Sequence, residues 1–498
     1  MPEPDWSERI IIRPAPEMQL KSWPTRRRFR NVLMNNLRAA LDGVPHELRV
    51  DQGRLLLFTR EREAAVGRLA RVFGVASYSP VEAVVEPTIE ALVEIIRERF
   101  ADTVRGRTYA VRCKRHGGAR LSTREVERQV GAALNPFGRV DLDAPEVRVE
   151  IDLVEAGAWV FTERLPGPGG VPLGVQDRVV TLMSGGFDSP VAAWYTMRRG
   201  VGNDYVFCNL GGATHEHMVT RLAHRLARDW AIGDRPRLFV VDFLAVVADM
   251  RERLPGEVWQ VVLKRLMYRA GEGVARRTGA QALVTGEALS QVSSQTLSNL
   301  NSIDPASGLP VLRPLIGFDK AEIMTLARRI GTYELSEGVP EFCALSNSKP
   351  LVSSRRGRIE REEALLDRSL LDHAVAEARE IDLAALTDED LVEPDVLADT
   401  IPADATVIDC QPPRRFRDWH LPGAVNYPPD VLARRFESLP KDRRYLLYCL
   451  RGANAPMLAE RMQRAGFDAR AFRGGVGRLR RAFERGDPNV VDAAGIGR

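Results

Sequence analysis

Residues 179 to 200 read VVTLMSGGFDSPVAAWYTMRRG. An apolar run ends at Leu182 and Met183. It gives way to Ser184, Gly185, Gly186, Phe187, Asp188 and Ser189, and a helix-like run follows. Paired glycines between a strand and a helix let backbone approach a ligand closely. The free N–H groups and dipole at a helix start favour an anion. Ser184 and Ser189 add hydroxyl donors. Ser189 suits the helix cap, Pro190 its first position and Gly200 its end. A carboxylate at Asp188 belongs beside phosphates only if it holds a magnesium ion or polarises a nearby group. The Gly-Lys-Ser/Thr that completes a P-loop is missing, so this nucleotide loop is of another type.

A second candidate is a thiol. The chain has five cysteines, Cys113, Cys208, Cys343, Cys410 and Cys449. They are scattered, odd in number and form no Cys-x-x-Cys pair. Neither a zinc site nor a disulfide framework is expected. Cys449 ends an apolar run in YLLYCLRGANAPMLAERMQRAGF, before a short loop, a helix beginning near Ala455 and a stop at Gly466. Loop N–H groups, the helix start and the adjacent Arg451 would lower its pKa and stabilise a persulfide anion. Taken singly, it could equally be a buried strand cysteine.

The elements that position these groups follow from the patterning. At 498 residues the chain is too long for one ordinary core, and three or four domains are expected. Residues 1–60 read as strand, helix, strand, and 61–165 repeat an α+β rhythm. LPGPGGVPLG (165–174) is the clearest linker. After it, RVVTLM, DYVFCNL, RLFVVDF and QALVTGE alternate with helical runs, and each is apolar on both faces. That argues for a parallel sheet covered by helices over 166–396. Residues 355 to about 400 are charged and helical. A last α/β stretch covers 404–490.

Composition is that of an ordinary soluble protein, with 44% hydrophobic and 28% charged residues and a net charge of +4. No apolar segment approaches the roughly 18 residues of a membrane span, and the N-terminus does not read as a signal peptide. A cytoplasmic enzyme that avoids membranes is expected. Basic charge is nonetheless concentrated. KSWPTRRRFR contains Lys21, Arg26, Arg27 and Arg28, and RTYAVRCKRHGGAR contains Arg112, Lys114 and Arg115; each stretch has five cations and no acid. Such runs grip phosphates with strong salt dependence and little sequence information.

The Ser-Gly-Gly-x-Asp-Ser string resembles the PP-loop of the N-type ATP pyrophosphatases. NLGGATHEHMV (209–219), VVLKRLMYRAG (261–271), TGEALSQVSSQTLSNLNSID (285–304), RPLIGFDKAEI (313–323) and PEFCALSNSKP (340–350) follow in order. Together these strings are similar to the tRNA 4-thiouridine synthase (ThiI) family. VIDCQPPRRFRDWHLPGAVNYP, the Cys-x-x-Gly at Cys449 and AFRGGVGRL resemble a rhodanese domain. The resemblance implies a multidomain α+β and α/β chain. Its parts are a ferredoxin-like module (1–60), a THUMP domain (61–165), a doubly wound parallel PP-loop ATP pyrophosphatase domain (166–396) and a rhodanese-like domain (404–490).

It also implies residue roles. ATP would be split to AMP and pyrophosphate, with magnesium, and AMP placed on the C4 oxygen of a tRNA uridine at position 8. Leu182 and Met183 would pass the adenine. Ser184, Gly185, Gly186 and Ser189 would hold phosphates, Asp188 would be catalytic in the same nucleotide site, and Lys264, Gly286, Gln295 and Lys320 would complete it. His215, in a matched string, reads as a helix-start residue. Cys449 would carry the persulfide and Cys343 would resolve it through a Cys343–Cys449 disulfide, reset by a thiol reductant. The sulfur donor implied is a PLP-dependent cysteine desulfurase, whose PLP sits on that partner. A sulfur-carrier protein of thiamine synthesis would be a second acceptor. Two departures from the rhodanese pattern, Gln411 and Asn454 where arginines are usual, disfavour a small anionic donor such as thiosulfate. The rivals are another PP-loop RNA-modifying enzyme, a small-molecule rhodanese-type sulfurtransferase and a non-catalytic sulfur relay.

Overall fold

A computed structural model describes residues 6, 8–51, 54–155, 157–337, 339, 349–392, 395–450 and 454–487. Cys343 and Arg451 lie outside the described residues. The chain divides into two compact units, one built mainly from residues 1–176 and the other from most of 177–498.

The first unit holds two five-stranded sheets. One runs, in spatial order, Leu165–Pro166, Val75–Pro80, Glu8–Pro14, Arg54–Thr59, His46–Asp51. It draws on residues past 60, and the start of the Pro/Gly-rich linker supplies its edge, where proline costs no ladder bond. Helix Trp23–Ala40 covers it, burying Phe29, Leu33 and Leu37 with Ile10, Ile12, Leu55 and Leu57. The other sheet runs Ala83–Val85, Gly157–Phe161, Val147–Val154, Thr108–Arg115, Arg139–Val140. Helices Ile89–Val104 and Thr123–Leu134 pack on it through Leu92, Ile96, Phe100, Val126 and Val130.

The second unit contains a six-stranded sheet in the order Val311–Leu312, Leu283–Val284, Gln176–Leu182, Val201–Asn209, Arg237–Asp242, Arg379–Asp382. Leu283–Val284 runs parallel to both its neighbours and Val201–Asn209 runs parallel to Arg237–Asp242, whereas the last strand is antiparallel. That last strand corrects the expectation that residues 355 to about 400 are charged and helical. Helices Arg356–Glu363 and Arg368–Ala376 do form, but the chain then adds a charged edge strand. Alternating charge on a short edge is a usual guard against edge-to-edge pairing. A separate sheet, Leu397–Ala398, Asp468–Phe472, Arg444–Tyr448, Thr406–Asp409, Val425–Asn426, is wholly parallel.

The six-stranded sheet fixes where ligands bind. From the strand Gln176–Leu182 the chain builds outward on one side, then crosses to place Leu283–Val284 and Val311–Leu312 on the other. The order of strands therefore reverses at this strand. In open α/β sheets the crevice beyond the carboxyl ends of strands at such a point takes the ligand. The SGGFDS loop leaves the strand at that end.

Candidate active site

The loop helix spans Asp188–Arg198, starting two residues earlier than the capping pattern suggested. Ser189 accordingly does not act as the cap. Its hydroxyl turns back into the loop, accepting the Ser184 N–H at 3.2 Å and donating to Met183 Sδ at 3.3 Å. Gly185 takes a left-handed φ of 86°, which a side chain would strain. The nearest neighbour of a Cβ at Gly186 would be Ser184 Oγ at 3.8 Å, so this face of the loop is open.

Asp188 is the hub of the site. Lys320, at the start of helix Lys320–Ile330, places Nζ 2.8 Å from its Oδ1. Gln291 donates Nε2 to the other oxygen at 3.0 Å. Lys320 Nζ also lies 5.4 Å from the Phe187 ring centroid. The capping box of Asp319 and Glu322 fixes the start of the lysine's helix. Gly286, just past the strand Leu283–Val284, lies against the loop backbone. A Cβ there would be 2.6 Å from the Asp188 carbonyl carbon and 2.7 Å from the Ser189 nitrogen.

Next to Gly286, Glu287 is buried. Its Oε2 accepts from Tyr268 Oη at 2.6 Å, Thr285 Oγ1 at 3.0 Å and Arg313 Nε at 2.9 Å. Burial alone would raise this carboxyl. The charge of Lys264, the Tyr268 hydroxyl and Arg313 outweigh burial and hold it below the usual carboxylate range. Lys264 and Tyr268 stand one turn apart on helix Trp259–Thr278 and so share a face. Lys264 also acts electrostatically on Cys208, at the end of Val201–Asn209. Three acceptor oxygens of one segment, on Glu287, Gln291 and Gln295, are buried and lack partners among the described residues. Such groups are costly unless a ligand supplies donors, and the exocyclic amine and ribose hydroxyls of a nucleotide would do so. Leu182 packs against the same helix, over Gly271, and Met183 is buried.

Two residues here were not assigned to the site from the sequence. Gln291 lies within TGEALSQVSSQ, but nothing in its type distinguishes it from its neighbours. His215 is more than a helix-start residue. It is buried in the first turns of helix Gly212–Trp230, edge-on to Phe207 at 4.7 Å, and its ring faces the Ser184 backbone. Burial pushes its pKa down to about 4. The imidazole is therefore neutral at physiological pH and braces the loop.

Cys449 directly follows the strand Arg444–Tyr448 and is buried; its sulfur accepts the Ala455 N–H at 3.4 Å, at the start of helix Asn454–Arg464. Val476 N–H binds the Cys449 carbonyl. Cys410 occupies the neighbouring rung, since its N–H binds the Tyr448 carbonyl and both cysteines face one core. Burial, then the Cys449 charge, push the Cys410 thiol well up. Gln411, one of the two departures, is also buried. It bonds to the Asp409 carboxylate and the Trp419 carbonyl, and so holds the fold. Burial raises the thiols of Cys113, to about 12, and of Cys208.

The basic stretches are exposed. Arg26, Arg27 and Arg28 line helix Trp23–Ala40, with Arg27 over the Trp23 ring and Lys21 just before the helix. Arg26 donates to the Gln19 and Lys21 carbonyls, and Arg28 to that of Val175. Arg112 and Lys114 lie two apart on strand Thr108–Arg115, hence on one sheet face, with Arg115 on the other. Arg112 donates to the Leu142 carbonyl, and Lys114 is 4.0 Å from Glu150.

Comparison with known proteins adds four family matches. Residues 174–367 match the thiamine biosynthesis protein (ThiI) model, 9–79 the ThiI ferredoxin-like domain, 85–163 the THUMP domain and 393–481 the rhodanese-like domain. The chain is 36% identical over 482 residues to a tRNA sulfurtransferase of Desulfurococcus amylolyticus, covering 95% of this chain and 99% of that one. It is 37% identical over 474 residues to a tRNA sulfurtransferase of Pectobacterium atrosepticum, covering 92% and 98%. Among solved structures it resembles a 4-thiouridine synthetase–RNA complex with bound ATP. There the TM-score is 0.67 and the identity 29%, over 75% of this chain and 99% of that one.

Proposed function

Because this chain belongs to the tRNA sulfurtransferase family, we propose that it uses ATP and a Cys449 persulfide to replace the C4 oxygen of a tRNA uridine with sulfur. The carrying observation is the Asp188 cluster at the point where strand order reverses, with Lys320 and Gln291 on its carboxylate. The ligand-bound relative, a synthetase with RNA and ATP, points the same way.

The chemistry runs in balanced steps. The uridine O4 attacks the α-phosphate of ATP; pyrophosphate leaves and O4 carries AMP. Loop N–H groups, the helix start, Lys264 and Lys320 offset the developing charge. A magnesium ion, when bound, neutralises phosphate charge. Asp188 is the carboxylate suited to it, as magnesium is often held by one or two carboxylates plus substrate phosphates. The terminal sulfur of the Cys449 persulfide attacks C4 and AMP departs, leaving a C4–S–S–Cys449 bridge. The Cys343 thiolate attacks the cysteine sulfur of that bridge. The base leaves as 4-thiouridine and a Cys343–Cys449 disulfide forms. A dithiol returns two electrons and restores both thiols.

The exposed cations of the N-terminal sheets suit an RNA held by shape and phosphate. A cysteine desulfurase is the proposed source of the persulfide. The buried, internally bonded Gln411 favours such a protein donor over a free anion. The matched thiamine-biosynthesis model supports delivery of the same sulfur to a thiamine sulfur carrier. The test is thiolation of unmodified tRNA with ATP, desulfurase and cysteine. One AMP should appear per thiouridine, and none should appear with Asp188→Ala. Thiouridine formed without AMP would refute the reading.

A further inference from the structure

Helix Asn454–Arg464, whose second residue Ala455 donates to the Cys449 sulfur, carries a glutamate that its own core does not use. Ala455, Leu458, Ala459 and Met462 pack into the core around Cys449. Glu460 stands on the flank of the helix yet is only 8% exposed. What covers it is the start of helix Gly212–Trp230, from the six-stranded-sheet part of the same unit. Glu460 Oε2 accepts the Ala213 N–H at 2.8 Å. Gly212 has a φ of 73°, and a Cβ there would be 2.7 Å from the same oxygen. Arg464 pairs with the other carboxylate oxygen. A carboxylate at an otherwise uncapped helix start satisfies a free N–H and complements the dipole. The helix Gly212–Trp230 has no side-chain cap of its own at Gly211.

The contact lies on a short route between the two reacting groups. Ala455, which donates to the Cys449 sulfur, is five residues before Glu460, about 7.5 Å along a helix. Ala213 is two residues before His215, whose ring faces the Ser184 backbone of the phosphate loop. Asn209 ties the same helix start to the end of its strand through the Gly212 carbonyl at 3.1 Å and the Gly211 N–H at 3.0 Å.

We propose that Glu460 is a positioning residue that seats the sulfur-carrying domain on the adenylating domain by capping helix Gly212–Trp230, so fixing where Cys449 is presented to the activated base. The proposal rests on the sulfur-transfer reading above. Neither half-reaction needs this contact; only their union does.

The test uses the full chain, unmodified tRNA, ATP, cysteine and a cysteine desulfurase. Three quantities are read: first-turnover pyrophosphate release, radiolabelled sulfur loaded on the chain, and thiouridine formed. Glu460→Ala should leave the first two within twofold and slow thiouridine formation roughly tenfold, the scale of one charge-assisted hydrogen bond. Ala213→Pro removes the donor at a position where the first helical turn accepts proline, and should have the same effect. Combining the two should cost no more than either alone. Glu460→Gln keeps an acceptor oxygen and should retain part of the rate. Wild-type thiolation by Glu460→Ala, additive losses in the double variant, or loss of either half-reaction would overturn the proposal. Failure of the underlying reading would register separately, as absence of thiouridine in the wild-type arm.

Discussion

Lys320 and Asp188, 132 positions apart in sequence, meet at 2.8 Å, with Gln291 on the second carboxylate oxygen. A lysine on a carboxylate beside a phosphate loop holds that carboxylate in place until a polyanion arrives. Lys320→Ala leaves Asp188 without its counter-charge, and a phosphate without its cation. We predict a fall of about a hundredfold or more in AMP formation, on the scale seen when a transition-state donor is lost. Persulfide loading at Cys449 should be unchanged. Pyrophosphate release, measured beside sulfur loading, checks both.

Gly286 lies against the backbone of the loop. Gly286→Ala puts a methyl 2.6 Å from the Asp188 carbonyl carbon, where neither neighbour is a flexible side-chain end. The loop must shift. We predict a stability loss of about 1–3 kcal/mol, as for overpacking elsewhere, and a larger proportional loss of ATP affinity. Denaturant unfolding and nucleotide titration of one preparation would check the two together.

His215 makes the acid limb of the stability profile testable. Its pKa is lowered on folding, from 6.5 to about 4, chiefly by burial. The unfolded chain therefore binds its proton first. The contribution of neutral His215 is complete above pH 6.5 and is lost as pH falls towards 4, by about 3 kcal/mol in all. His215→Gln keeps a donor and removes the titration. The variant should lose less stability than wild type between pH 7.5 and pH 5, in paired denaturant unfolding curves. Equal losses would remove His215 from the account.

How much of this was legible in sequence depended on spacing. The loop read clearly because strand, glycines, carboxylate and helix are contiguous. The parallel sheet read clearly because its strands are apolar on both faces. The hydrogen bond from Gln291 to Asp188 did not, because a glutamine's partner 103 positions away leaves no local mark. His215 is the helix-start residue its neighbours suggest, but its burial did not read, because only the sheet beneath shows it. The strand Arg379–Asp382 was hidden in a charged run, since an edge strand needs no apolar face. Glu460 was invisible because its burial comes from another domain.

The exposed cations predict salt dependence. Replacing Arg27 or Lys114 with glutamine should weaken tRNA binding by a similar factor for any tRNA sequence. Each should reduce the slope of log affinity against log salt by about one. The phosphate loop variants should leave that slope unchanged. Filter binding over a range of salt concentrations reads both.

The central claim is that sulfur held on Cys449 reaches a base activated by ATP. The most direct measurement starts from the chain loaded with radiolabelled sulfur and freed of desulfurase and cysteine, then mixed with unmodified tRNA. With ATP, label should leave the protein and appear in tRNA as 4-thiouridine in a single turnover. Without ATP, or with Cys449→Ser, none should transfer. Label reaching tRNA equally well without ATP, or undiminished in Cys449→Ser, would contradict the account.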